Sequence, residues 1–307
     1  VSSTFYLLKL KQDVKHNSLK GLLCAKNRTK HFRFSLFALF LFLAQLQTAK
    51  AQVTCMSSGT WASATWNPAA PTAGQTVIVA VGCTLTVDVN TPIINDLTIN
   101  GKVIVSNSAT SYLSIAGNLV VNTGAALENN GSIEFVTPNK SFALNGTATY
   151  IHNPRNNVSL DESIFYNSTE AFAATSNLFI QKWSDGSIPL GDPSRVASSI
   201  FGNLTLAATV SGGSWDQDGY FATNRIRGSF TVSASTIVMD DGTGVSTSLF
   251  LQDVLINGTG NIVFQRGLNR SLALSTNNFT ISSVAPAKPT VIMDTCYGVL
   301  NWVVTGN

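Results

Sequence analysis

The sequence predicts an all-β chain wound as a parallel β-helix, a single-stranded solenoid with an N-terminal cap. Three observations predict it. A strand–glycine–strand unit occurs four times between Asn95 and Ile151: Leu97–Val105, Leu113–Val121, Leu127–Phe135 and Phe142–Tyr150. Its corner glycines are Gly101, Gly117, Gly131 and Gly146, which are almost evenly spaced along the chain. A near-constant step of this kind is the signature of a stacked array. Second, only 11% of the 307 residues are charged while 44% are hydrophobic. The balance is rich in Ser, Thr, Asn, Gly and Val, which suits strands and tight corners and is too apolar for disorder. Third, an export signal precedes the array.

That signal lies in the leader, residues 1–51. Lys26, Arg28, Lys30 and Arg33 form a positive region, and Phe34–Leu46 is apolar apart from Ser35 and Gln45. Ala49-Lys50-Ala51 has the small-x-small form of a cleavage site, which makes Gln52 the expected mature N-terminus. The apolar run is shorter than the roughly 20 residues a membrane-spanning helix needs. No stable membrane span is expected after cleavage. The leader also carries the positive charge: 9 of the 19 Lys+Arg and one of the 16 Asp+Glu lie within it. The remainder is acidic by five units, so no nucleic-acid partner is expected.

Residues 52–96 read as the cap and first rungs. Trp61 and Trp66 sit in a Ser/Thr/Pro-rich segment and are expected to cover the open edge of the first rung, which would otherwise pair with other chains. A sugar-stacking platform is the alternative. Cys55 and Cys83 flank one local unit, and in an exported protein they are expected to form a disulfide, with Cys296 left over. Residues 97–151 are the regular rungs. Residues 152–200 break the period with Pro154, Pro189 and Pro193 and are expected to be irregular rungs with long loops. Residues 201–307 resume strands at wider spacing. The final Gly298–Val304 stretch reads as a strand beginning a further rung, as though the chain were cut. The rival architecture is an antiparallel β-sandwich, because Asn-Gly between alternating runs is also a strong hairpin signal. Asn100-Gly101, Asn145-Gly146 and Asn257-Gly258 all qualify. The solenoid is preferred because neighbouring units repeat in the same phase.

The order Trp61, Trp66, Pro71, Gly74, Val77, Val79, Gly82, Leu85, Val87, Asp88, Leu97, Ile99 and Gly101 resembles the start of G-eight-type domains and of pectin-lyase-like β-helix surface proteins exported by Bacteroidetes-type bacteria. The resemblance covers about residues 59–151. It implies a right-handed parallel β-helix and a secreted or cell-surface role, and it brings no catalytic motif.

The candidate chemistry is sparse. Asp216 and Asp218 precede Gly219 at a turn, a spacing that can begin a calcium loop, although the remaining ligands of such a loop are missing. Asp240 and Asp241 stand at a second turn. With Arg225 and Arg227 these four carboxylates form the alternative reading, a polysaccharide lyase or glycoside hydrolase, in which paired acids flank the scissile bond and the arginines hold an acidic sugar. Arg225 and Arg227 alternate with Ile226, so both are expected to face outward. His152, the only histidine after the leader, is read as a turn residue rather than a base. The preferred reading is a structural or adhesive β-helix of the cell surface, without a cofactor, that contacts a polysaccharide or surface glycan. Loops in 152–200 and 212–225 would carry the contact through Trp183, Trp215 and Tyr220, whose rings suit the apolar faces of sugars.

Overall fold

A computed structural model of the chain describes residues 51–155, 163–166, 168–182, 201–207, 215–216, 226–234, 236–238, 247–264, 271–282, 288–293 and 299–304. These residues are almost entirely β. One short helix, Ser163–Tyr166, stands among them.

The strands stack in parallel. The largest sheet has eleven, in the spatial order Gly59–Thr60, Thr84–Val87, Lys102–Val105, Ala126–Asn129, Thr149–His152, Asn177–Ile180, Asn203–Leu206, Ser229–Val232, Thr247–Ile256, Ser271–Ile281 and Val299–Val304. That order is also chain order, as a solenoid requires. A second sheet of seven runs from Trp66–Asn67 through Gln52–Cys55, Thr76–Val79, Leu97–Ile99, Leu119–Val121 and Lys140–Leu144 to Ser168–Phe172. A third face is short. Tyr112–Ile115 pairs in parallel with Ser132–Phe135, and single bridges join Asn90 to Tyr112 and Ile94 to Ile115. A four-stranded parallel sheet of Trp215–Asp216, Thr236–Val238, Asn261–Phe264 and Thr290–Met293 accompanies the later rungs. The sandwich alternative is thereby excluded: all the described strand pairs are parallel except one, at the cap.

Register shows what the sequence repeat is. In the seven-stranded sheet Leu97 pairs with Leu119 and Leu119 with Phe142, so each rung runs well past the next corner glycine before it closes. The repeating unit of the sequence is therefore not a rung but two-thirds of one. Leu97–Val105 turns from the seven-stranded sheet into the eleven-stranded sheet. Leu113–Val121 turns from the third face into the seven-stranded sheet, and Leu127–Phe135 from the eleven-stranded sheet into the third face. Phe142–Tyr150 returns to the first corner two rungs later. Three units thus span two rungs, and each of the three corners has its own glycine. At Gly101 an added Cβ would run into the carbonyls of Cys83 and Ala80 on the rung before, and at Gly117 into Asp96 and the Asn95 carbonyl.

The Asn-Gly pairs are corner devices rather than hairpins. Asn122 Nδ2 donates to Asn100 Oδ1 at 2.7 Å, and Asn145 Nδ2 to Asn122 Oδ1 at 2.9 Å. This ladder of side-chain amides runs parallel to the backbone ladder, and satisfying each amide on the next rung fixes the stacking register.

Alternation does the rest. In the strands of the eleven-stranded sheet from Thr84–Val87 to Ser229–Val232 every second residue points inward, which builds continuous columns such as Leu85, Val103, Leu127, Tyr150, Leu178, Leu204 and Phe230, all buried. At the N-terminal end Trp66–Asn67 pairs antiparallel with Gln52–Cys55 and covers the outer edge of the seven-stranded sheet. Trp66 donates its indole N–H to the Trp61 carbonyl at 3.0 Å, and the two rings pack 5.2 Å apart at 58°. Trp61 is buried and the rings are tilted, so they do not form a flat exposed platform.

Candidate functional site

Parallel rungs hold the outward side chains in columns as regular as the inward ones. On the eleven-stranded sheet one outward column reads Thr86, Ile104, Glu128, Ile151, Phe179, Thr205, Thr231, Leu255 and Thr280. Thr280 is exposed and the others are half-buried. Beside it run Thr84, Lys102, Ala126, Thr149, Asn177 and Asn203, in which Asn203 Nδ2 donates to Asn177 Oδ1 at 3.0 Å. Lys102 reaches Glu128 one rung on, with Nζ 3.0 Å from Oε2. Glu128 Oε1 also accepts from Asn130 Nδ2 at 2.9 Å, and its carboxyl is held below the ordinary range. The Asn130 hydrogen bond is the largest cause, and Lys102 adds to it against the opposing effect of burial. The face therefore offers Phe179 and Ile151 as apolar surface, with asparagine amides along one side.

Phe179 is absent from the sequence-predicted site. The signal was present in Asn177-Leu-Phe-Ile, where strict alternation puts Leu178 and Ile180 inside and Phe179 outside.

Trp183, Asp218, Tyr220, Arg225, Asp240, Asp241 and Cys296 fall outside the described residues. Trp215 and Asp216 form a short edge strand rather than a turn, with Trp215 in register with Ile237 and Asp216 with Val238. Arg227 is exposed, next to buried Ile226, and its guanidinium donates to the Phe172 carbonyl at 3.4 Å. Among the described residues there is no group of three or more His, Cys, Asp or Glu able to hold a metal ion.

His152 corrects the sequence reading. It is the last residue of the strand Thr149–His152, fully buried in the interior column that runs Val87, Val105, Asn129, His152 and Ile180. Its Nδ1 shares a hydrogen bond of 2.9 Å with the Tyr150 hydroxyl, and its ring packs edge-on to Phe165 at 5.2 Å. Burial lowers its pKa to about 3, so it is neutral at physiological pH. It is neither a turn residue nor a base within reach of a substrate outside the solenoid. Glu170 also points inward, in register with Phe142, and accepts from Ser168 Oγ at 3.0 Å.

Cys55 and Cys83 are both free thiols in this structure, buried at the cap.

With this geometry in place, the comparison with known families is specific. Residues 60–163 match the family model of the G8 domain. The match begins at the last residue of the strand Gly59–Thr60 and ends at Ser163, the first residue of the short helix. The G8 segment thus contains the tryptophan lid, all three glycine corners and the asparagine ladder, while the rungs beyond it continue the same eleven-stranded sheet. No curated protein and no solved structure gives a significant match. The chain is a β-solenoid with a G8-like segment, a combination that fits a structural or adhesive protein.

Proposed function

We propose that this chain is an exported, cell-surface β-solenoid that adheres to a polysaccharide, with the outer face of the eleven-stranded sheet as its contact surface. The observation that carries the reading is the outward position of Phe179 in line with Ile151 and beside the Asn177–Asn203 amide pair. An aromatic ring receives the apolar face of a sugar, and amides alongside it hydrogen-bond the hydroxyls. The parallel ladder beneath holds these groups without further ordering, which lowers the entropic cost of binding a stiff polymer. Trp183, Trp215 and Tyr220 are assigned to the same ligand as a second set of stacking rings. Calcium at Asp216 and Asp218 belongs to the proposal only as an additive to be varied.

The test mixes the purified chain with neutral and acidic polysaccharides, with and without calcium, and follows polymer length and protein elution by size-exclusion. Co-elution with one polymer at constant length is the expected result, weakened at least tenfold in affinity by Phe179→Ala. Shortening of a polymer, abolished by Asp216→Ala or Asp240→Ala, would overturn the adhesive reading in favour of a lyase or hydrolase. Absence of co-elution across the whole panel would overturn the polysaccharide assignment.

A further inference from the structure

The cap brings two cysteines together across a single corner. Cys55 ends the strand Gln52–Cys55, and its carbonyl accepts the Ala80 N–H at 3.2 Å. The Ala80 carbonyl in turn accepts the Cys83 N–H at 3.1 Å. The corner at residues 80–82, with Gly82 at φ 79°, therefore sits between the two cysteines. Both side chains belong to the same apolar cluster, Cys55 with no exposure and Cys83 with 6%. The Cys55 thiol donates to the Ser57 carbonyl at 3.2 Å, and Cys83 lies close enough to act on its titration. Between them in the sequence lie Trp61, Trp66 and the antiparallel strand that covers the sheet edge.

We infer that Cys55 and Cys83 are a disulfide site, and that the bond locks the tryptophan lid onto the first rung. The co-reactant is a low-molecular-weight disulfide such as oxidised glutathione. One protein thiolate attacks a sulfur of that disulfide, forming a mixed disulfide and releasing one glutathione thiolate. The second protein thiolate then attacks the mixed disulfide at the protein sulfur, and the second glutathione leaves. Two protein thiols are oxidised, one glutathione disulfide is reduced to two thiols, and the two protons end on the glutathiones. Burial, and then the neighbouring Cys83, hold the Cys55 thiol above its ordinary pKa. Little thiolate is therefore present once the cap has closed, and the bond forms during folding rather than afterwards. The site rests on the geometry of the cap and not on the polysaccharide reading.

The test unfolds the full chain in denaturant with reductant and refolds it in a glutathione redox buffer. Remaining thiols are then alkylated, and the unreduced protein is digested and mapped by mass spectrometry. The expected product is a Cys55–Cys83 linked peptide, two hydrogens lighter than its reduced parts, as the dominant species. The oxidised chain should melt about 10 °C above the reduced chain, a difference that disappears in Cys83→Ser. Quantitative alkylation of both cysteines, or a dominant bridge from either one to Cys24 or Cys296, would overturn the inference. The mapping is made on the unaltered sequence, so the outcome stands even if Cys83→Ser fails to fold. Native chain exposed to the same buffer should oxidise at least tenfold more slowly than refolding chain, and equal rates would remove the claim that closure of the cap protects the thiols.

Discussion

The rungs between Leu97 and Phe142 and the rung that follows them use the same sheets but solve different problems. In the first region two rungs of nearly equal length run from Leu97 to Leu119 and from Leu119 to Phe142, with glycine at all three corners and interior columns that are apolar apart from Ser114 and Asn129. The next rung is longer: it leaves Phe142 and closes only at Glu170, and its third face is a short helix. Here the interior admits His152, Ser168 and Glu170 beside a cluster of aromatic rings, Phe142, Tyr150, Phe165 and Phe172. A parallel solenoid can thus absorb an insertion and several buried polar groups in one rung. It does so because the two main sheets keep their register: Lys140–Leu144 still pairs residue by residue with Ser168–Phe172, and Thr149–His152 with Asn177–Ile180. The comparison teaches that these two ladders define the solenoid, while the third face is where it varies.

The largest expected effect lies in the altered rung and depends on pH. His152 has a folded pKa of about 3 against an ordinary value of 6.5, so the folded state binds fewer protons than the unfolded state. Its contribution is complete above pH 6.5 and is lost as the pH falls from 6.5 towards 3. A shift of this size corresponds to roughly 4–5 kcal/mol across the window. Urea denaturation at pH 7, 5 and 4 should show this fall. The double variant Tyr150→Phe/His152→Leu removes both partners of the buried hydrogen bond and should flatten the curve by most of that amount. An unchanged acid slope in the double variant would show that His152 does not govern acid stability in this rung.

The regular rungs should break at their corners. Gly101→Val places a branched side chain against the Cys83 and Ala80 carbonyls, both backbone, and is expected to cost about 3–4 kcal/mol. Gly124→Ala is the control. Its φ is 77°, but nothing lies within reach of an added Cβ, so only the backbone penalty of about 1 kcal/mol remains. Equal costs in denaturant melts would mean that the neighbouring carbonyls give way and that close approach between rungs does not select glycine at Gly101.

The boundary between the two regions offers a gain. Asn129 stands in register between Val105 and His152, fully buried, and neither amide atom has a hydrogen-bond partner. An unsatisfied buried amide costs about 1–3 kcal/mol. Asn129→Val extends the apolar column by one rung and should raise stability by about 1–2 kcal/mol in the same melts. Destabilisation instead would show that the amide is needed to hold His152 in place.

The contrast also explains how far the sequence could be read. All-β character, parallel stacking and the cap followed from composition and spacing, because alternation and glycine corners are local features. The length of a rung did not follow. A unit that marks every corner reports the distance between glycine corners, and register alone reveals that three such corners span two rungs. His152 was misread because Asn153-Pro154 after it looks like a turn, and the strand ends only at His152 itself. Phe179 carries no loop signal, and only its outward phase within Asn177–Ile180 marks it.

The smallest expected effect tests whether outward columns carry energy at all. Lys102 and Glu128 face each other across one rung, but Lys102 is 42% exposed and Glu128 26%. Solvent screens such a pair, and the double-mutant coupling energy of Lys102→Met with Glu128→Gln should stay below about 1 kcal/mol. Glu128 has its carboxyl pKa lowered in the fold, so its contribution is present above the ordinary value of 4.5 and is lost as the pH falls through the lowered folded value. Asn130 should matter more to that titration than Lys102, because its amide is the largest cause of the shift. Asn130 also accepts from Asn153 Nδ2 at 2.8 Å, so the next rung holds it in place. In an NMR titration of the Glu128 carboxyl, Asn130→Ala should therefore raise the midpoint further than Lys102→Met does. The reverse order would show that charge pairing along the outer face, rather than the amide ladder at the corner, sets the electrostatics of this surface.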